Sequence, residues 1–228
     1  PLMSSPSVYL SASSQENNLG IDGVSEEARM NVLVRDVGNI LTSRGITVYY
    51  NDPDWSLSKI VSDSNSKKPD LHIAVHTNAG GGTGTETWCY GISGTNSASF
   101  GSKLQAALVG TLELRDRGIK DSSAPGFRWA EVVNTNATSV LTELFFHDNA
   151  EDVERYNQRY QRVVQSMADA ISEWFNLSTP NRVQIHAGGT TINAVIIDNR
   201  SYAPVRQLAE ALGHTVDWIE STRTVVVK

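Results

Sequence analysis

One stretch constrains the chain more than any other: Asp70-Leu71-His72-Ile73-Ala74-Val75-His76-Thr77-Asn78-Ala79-Gly80, followed by the loop Gly80-Gly81-Gly82-Thr83-Gly84. An apolar, β-compatible run that ends in a histidine and breaks into glycine is how an active-site strand of an open α/β sheet ends. Alternation puts Leu71, Ile73 and Val75 on one face and His72, Ala74 and His76 on the other. At about 3.3 Å per residue the two histidines are roughly 13 Å apart, too far to share one ion. If His76 is a metal ligand, His72 is a core or supporting histidine, and the other ligands come from other elements at the same sheet edge.

The flanking pattern supplies such a sheet. Val8-Tyr9-Leu10-Ser11 is a short strand, and Ser25 is an N-cap with Glu26 and Glu27 in the first helical turn. Met30, Leu33, Val34, Val37, Ile40 and Leu41 recur at helical spacing before Arg44-Gly45, and Ile46 to Tyr50 is β-branched and aromatic. This is a βαβ unit, which implies a mostly parallel sheet. Further elements are a helix over 56–66, a strand over 85–92, a helix over 97–114, a turn through Arg115 to Lys120 and an extended segment near 127–132. A strand over 139–146 and a helix over 150–175 follow. The expected fold is an αβα sandwich over residues 1–177. After a linker through Ser178-Thr179-Pro180, residues 182–228 read as a small α+β module, too short to be robust alone.

Composition narrows the function. With 228 residues, a net charge of −6 and no Lys/Arg block, neither nucleic acid nor an anionic membrane surface is the expected partner. The single cysteine, Cys89, excludes an intrachain disulfide and a multi-cysteine zinc site, and reads as a small core residue. No apolar run reaches the roughly 20 residues of a spanning helix. Pro1 to Pro6 shows neither the basic nor the apolar region of a signal peptide, so none is expected in this chain.

Gln15, Glu26 and Glu27, His76 and Glu143 converge on one edge of this sheet. Catalytic zinc takes three nitrogen or oxygen ligands, and a nearby carboxylate must take the proton of water. Each residue alone has a plainer reading: His76 as a structural histidine, Glu26 and Glu27 as partners of the helix dipole. Glu143 is different, because a carboxylate among Leu141, Leu144, Phe145 and Phe146 carries a large desolvation cost unless it is paired, protonated or part of a site. His147-Asp148-Asn149 reads as a helix-entry and loop-bracing segment. The glycines 80–84 precede a strand and carry no phosphate-loop pattern.

Several of these motifs together resemble a known family. Val8-Tyr9-Leu10-Ser11 with Gln15 and Asn18, Ser25-Glu26-Glu27 with Asn31, Ser62 to Ser66, His72 to Gly80, Asp116 to Lys120, Thr135-Asn136-Ala137 and Glu143 to Asn149 look like the zinc-dependent N-acetylmuramoyl-L-alanine amidases, phage endolysins included. The resemblance spans about residues 8–175. It implies zinc as cofactor, peptidoglycan as substrate, action at the bacterial cell wall, His76 and one glutamate as ligands, and Glu143 as the catalytic carboxylate. Glu27 is the expected ligand, because the family's glutamate stands four residues before an asparagine and Asn31 fills that place. Asn78 is the expected substrate-binding side chain. One departure matters: where the family has a glycine-histidine-glycine loop, this chain has Ser13-Ser14-Gln15. Either the Gln15 amide oxygen is a weak ligand or water fills the position, and both imply a more exchangeable metal.

The tail, through Asp198 to Gly213 and Val216-Asp217-Trp218, resembles the copper amine oxidase N-terminal-like domain appended to bacterial wall enzymes. His186 and His214 alone do not make a copper site, and Tyr202 and Trp218 are expected in the module's core. Two rival readings stay open: a zinc carboxypeptidase-like peptidase on wall peptides, and a wall-binding protein without turnover.

Overall fold

The computed structural model describes residues 5–177, 181–197, 200–219, 222 and 224–228. The chain divides into two compact units, Pro1–Leu177 and Ser178–Lys228. The linker residues 178–180 and Asp198-Asn199 of the tail motif lie outside the described residues.

The first unit is an open sheet with helices on both faces. Its elements are β1 (Ser7–Ala12), α1 (Glu26–Ser43), β2 (Thr47–Tyr50), α2 (Leu57–Lys67), β3 (Leu71–Asn78), β4 (Thr85–Cys89), α3 (Asn96–Leu112), β5 (Asp116–Asp121), α4 (Ala130–Val133), β6 (Thr138–Phe146) and α5 (Ala150–Trp174). The strand order is β2-β1-β3-β6-β4-β5. Four of the five pairings are parallel, and β4 runs antiparallel to β6. The sheet is therefore mostly parallel, with helices as its crossovers, as the βαβ reading requires.

Strand alternation decides which side chains meet which layer. Val8 and Leu10 of β1, Ile73 and Val75 of β3, and Val140 and Leu144 of β6 are fully buried against Met30, Leu33 and Val37 of α1, Leu104 and Leu108 of α3, and Val163, Met167 and Ile171 of α5. This face holds the main core. On the opposite face Ala74, Leu141 and Val132 form a smaller cluster with Trp88 packed on it. His72 lies on that face too, stacked on Tyr9 at 5.1 Å between ring centres. Its Nδ1 is 2.8 Å from Ser64 Oγ and its Nε2 donates to Glu131 Oε1 at 3.1 Å. Ser64 and His72 are shut off from solvent, so this serine–histidine–glutamate line braces α2 and α4 on the sheet and offers no accessible nucleophile.

Two segments differ from the sequence reading. Arg115 to Lys120 is mostly not a turn, since Asp116–Asp121 forms β5 at the sheet edge. Its side chains are half-buried or exposed, so it lacks the apolar alternation that marks an inner strand. The 127–132 stretch is not extended throughout: Ala130–Val133 turns into α4 after Trp129. Cys89 is a free, buried core thiol, pushed up to about 11 by burial.

The second unit holds a three-stranded antiparallel sheet β7 (Asn181–Ala187), β8 (Thr190–Ile197) and β9 (Arg200–Tyr202), helix α6 (Val205–Ala211), and the hairpin β10 (Val216–Ile219) with β11 (Thr224–Val227). Tyr202 and Trp218, expected in its core, are each 49% exposed; the buried apolar positions include Ile192, Ala194, Ala209 and Val216. His186 bonds Thr191 Oγ1 and His214 donates to the Lys228 carbonyl, so the two histidines serve separate local contacts.

Candidate active site

The site forms where β3 and β6 end. Parallel register sets His76 beside Glu143, and antiparallel register sets Glu143 beside Glu86. Residues paired in register share a face, so a histidine and two carboxylates stand in a row across β3, β6 and β4. The register of β3 shifts between His76 and Asn78, an irregularity of the kind that re-aims side chains at strand ends.

A third carboxylate comes from α1. Ser25 caps the helix by accepting from the Ala28 N–H. Glu26 then falls on the stripe Glu26-Met30-Leu33-Val37, which is buried along its length. His76 Nδ1 donates to Glu26 Oε1 at 2.9 Å, the Thr77 N–H donates to the same oxygen at 3.2 Å, and Asn18 Nδ2 donates to Oε2 at 2.8 Å. Burial alone would raise the Glu26 carboxyl, but the hydrogen bond and charge of His76 hold it below the ordinary carboxylate range. His76 responds in kind: burial opposes its charge, yet the bond to Glu26 and the charges of Glu143 and Glu26 push it up to about 9.

Glu143 has no such support. Its Oε2 is buried without a hydrogen-bond partner among the described residues. Burial pushes its carboxyl up to about 7; the charge of His76 opposes the shift, and those of Glu26 and Glu86 add to it. Glu86, by contrast, accepts from Arg117 Nε at 2.6 Å, Asn78 Nδ2 at 3.2 Å and Trp88 Nε1 at 3.1 Å.

The structure thus brings Glu143 and His76 together and sorts the remaining candidates. The glutamate that reaches His76 is Glu26, where the Asn31 spacing pointed to Glu27. Asn31 Nδ2 instead donates to the Glu27 backbone carbonyl one turn back, at 2.9 Å, and Glu27 itself is half-buried. The helical stripe 26-30-33-37 was the sequence signal for Glu26. Gln15 is exposed; its Oε1 accepts from the Asn18 amide at 3.3 Å, the same amide that holds Glu26, so it stands one link from the pair. Asn78 supports Glu86 and accepts from the Ala79 N–H. His147 braces the loops: its Nδ1 is 2.7 Å from Thr77 Oγ1, and its backbone bonds Asn78 and Ile21. Asn18, Glu86 and Arg117 were missed as working residues, although a glutamate inside Thr85-Glu86-Thr87-Trp88 carried the same desolvation signal as Glu143.

The donor set can be tested against zinc. Among the described residues no group of three or more His, Cys, Asp or Glu side chains is placed to hold a metal. Two donors of the right kind, the His76 imidazole and the Glu26 carboxylate, nevertheless face each other at 2.9 Å, with an unpartnered carboxylate oxygen on the adjacent strand. An imidazole and a carboxylate are ordinary zinc ligands, and an amide or water in third place gives a weaker site. The residues fit the ion on those terms.

A strand-end histidine, a paired carboxylate and a second carboxylate that burial holds close to neutral pKa stand together at one edge of an α/β sheet, the groups that acid–base chemistry would need there. Residues 12–173 match the family described as N-acetylmuramoyl-L-alanine amidase, and the chain belongs to that family. Residues 183–228 match the copper amine oxidase N-terminal domain. The chain is 29% identical over 173 residues to the N-acetylmuramoyl-L-alanine amidase CwlM of Bacillus licheniformis, covering 73% of this chain and 65% of that protein. It is 28% identical over 200 residues to the endolysin of Bacillus phage SPP1, covering 81% of this chain and 73% of the phage protein. In fold it is similar to an N-acetylmuramoyl-L-alanine amidase from Clostridium difficile 630, with TM-score 0.66, 20% identity, 77% of this chain and 100% of that one covered.

Proposed function

We propose that the chain is a peptidoglycan hydrolase that cuts the amide between the lactyl group of N-acetylmuramic acid and L-alanine, at the bacterial cell wall. The observation that carries the proposal is the buried, unpartnered Glu143 Oε2 beside the His76–Glu26 pair. His76 and Glu26 would hold zinc, with Gln15 or water completing the set. Zinc, when bound, supplies Lewis-acid polarisation of the amide carbonyl and lowers the pKa of water.

The chain's own residues do the rest. Glu143, with a pKa near 7, takes a proton from the attacking water and returns it to the departing L-alanine nitrogen. Its orphan oxygen is free for that proton because β6 and β4 give it no donor. Asn18 and the Thr77 N–H fix the Glu26 carboxylate, and Glu26 fixes the His76 ring, so the pair is oriented before substrate arrives. Family membership and the similarity to amidases and an endolysin support this reading. The test is product analysis on purified sacculi: released stem peptides should carry an intact N-terminal L-alanine. Shortened stems would mean a peptidase, and no soluble product a binding protein.

A further inference from the structure

The sheet face that carries Glu143 continues into an aromatic surface. Trp88 lies two residues beyond Glu86 on β4, opposite Leu141, which is two residues before Glu143 on β6. Side chains two apart on a strand share a face about 7 Å apart, so Trp88 flanks the candidate catalytic carboxylate on the side away from His76. Phe127 stacks on Trp88 at 5.3 Å between ring centres, tilted by 19°, and Trp129 meets it edge-on at 5.7 Å.

Two of these rings are held but not covered. Phe127 is 50% exposed and Trp129 39% exposed. The wholly buried Ser122 hydroxyl donates to the Phe127 carbonyl and accepts from the Trp129 N–H, which fixes the backbone between the two rings. Trp88 is anchored through its Nε1–H to Glu86 and rests on Ala74, Val132 and Leu141. A pre-set, half-exposed aromatic surface beside a buried acid is costly to leave in water and is suited to a ligand with an apolar face and polar edges.

We propose that Trp88, Phe127 and Trp129 form the glycan subsite, on which a pyranose ring of the amino-sugar strand stacks. This rests on the peptidoglycan reading above. A pyranose presents C–H groups on its flat face and hydroxyls at its rim, which matches apolar rings whose innermost member, Trp88, meets at its Nε1–H the Glu86 carboxylate that Arg117 also holds. The sugar occupies the aromatic side of Glu143, which leaves the scissile amide over the carboxylate.

The test is equilibrium binding of a peptide-free tetrasaccharide of alternating N-acetylglucosamine and N-acetylmuramic acid to the full chain, followed by indole fluorescence. Phe127→Ala and Trp129→Ala should each weaken binding by roughly 10-fold, the scale of one lost ring contact, and Trp129→Phe should restore most of it. Unchanged affinity in both alanine variants, with the fold intact by circular dichroism, would overturn the subsite. Because binding needs no turnover, a chain that binds the glycan through these rings yet releases no stem peptide would count against the hydrolase alone.

Discussion

Glu86 and Glu143 stand side by side across β4 and β6, yet Glu86 accepts three hydrogen bonds while Glu143 Oε2 accepts none among the described residues. The arrangement places a fixed negative charge next to an acid that burial already keeps protonated to about pH 7. Such a carboxyl lowers stability as it ionises.

The sign follows from the direction of the shift. The folded pKa of Glu143 lies above its ordinary value of 4.5, so its contribution to metal-free stability is whole below about pH 4.5. It is lost as pH rises through about 7. The loss is at most about 3 kcal/mol, at ~1.4 kcal/mol per pKa unit. Thermal melts of metal-free parent and Glu143→Gln from pH 5 to 8 should show the variant gaining on the parent as pH rises. Parallel melting curves would remove the buried-acid account.

The two adjacent glutamates of α1 give opposite expectations. Glu26→Gln should lower zinc affinity and activity by on the order of 10-fold or more, since Glu26 is the one of the two that bonds His76. Glu27→Gln should change both by less than about 2-fold, because the Glu27 side chain makes no contact with His76 among the described residues. Zinc titration of the two variants decides it, and loss of metal in Glu27→Gln with retention in Glu26→Gln would restore the Asn31-based assignment.

Gln15 sits one hydrogen-bond link from the pair, through Asn18. Gln15→His should tighten zinc binding, because imidazole is a better ligand than an amide oxygen. Equal metal affinity in Gln15→His, Gln15→Ala and the parent would place this residue outside the site.

Much of this was legible in the chain because period-2 and period-3.6 patterns report burial directly. Val8 to Ser11, Leu71 to His76 and Ser139 to Phe146 read as strands, and Met30 to Leu41 as the apolar face of a helix, since each pattern has one physical solution. β5 was not legible: an edge strand is half wet, and Asp116-Arg117-Gly118 looks like a turn. Glu143 stood out by its apolar neighbours. Choosing between Glu26 and Glu27 needed the path of the Ser25 cap, which aims one residue of the first turn at β3 and the next away from it. The row His76-Glu143-Glu86 depends on strand order, which places β6 between β3 and β4 and is written in no local stretch.

The tail module is expected to position the enzyme without entering the chemistry, since every residue assigned to the site lies within Pro1–Leu177. A chain ending at Leu177 should keep kcat on a soluble muramyl-peptide and lose activity on intact sacculi, because tethering raises effective concentration and leaves transition-state contacts alone. Pull-down on sacculi checks it. Undiminished binding and digestion by the shortened chain would assign the tail another role.

The catalytic assignment of Glu143 meets its most direct test in one paired measurement: zinc content and kcat of Glu143→Gln on a soluble muramyl-peptide. The variant should hold zinc as the parent does while kcat falls by on the order of 10² or more, the scale of general-base catalysis. A variant as fast as the parent, or one purified without the metal, would contradict the account.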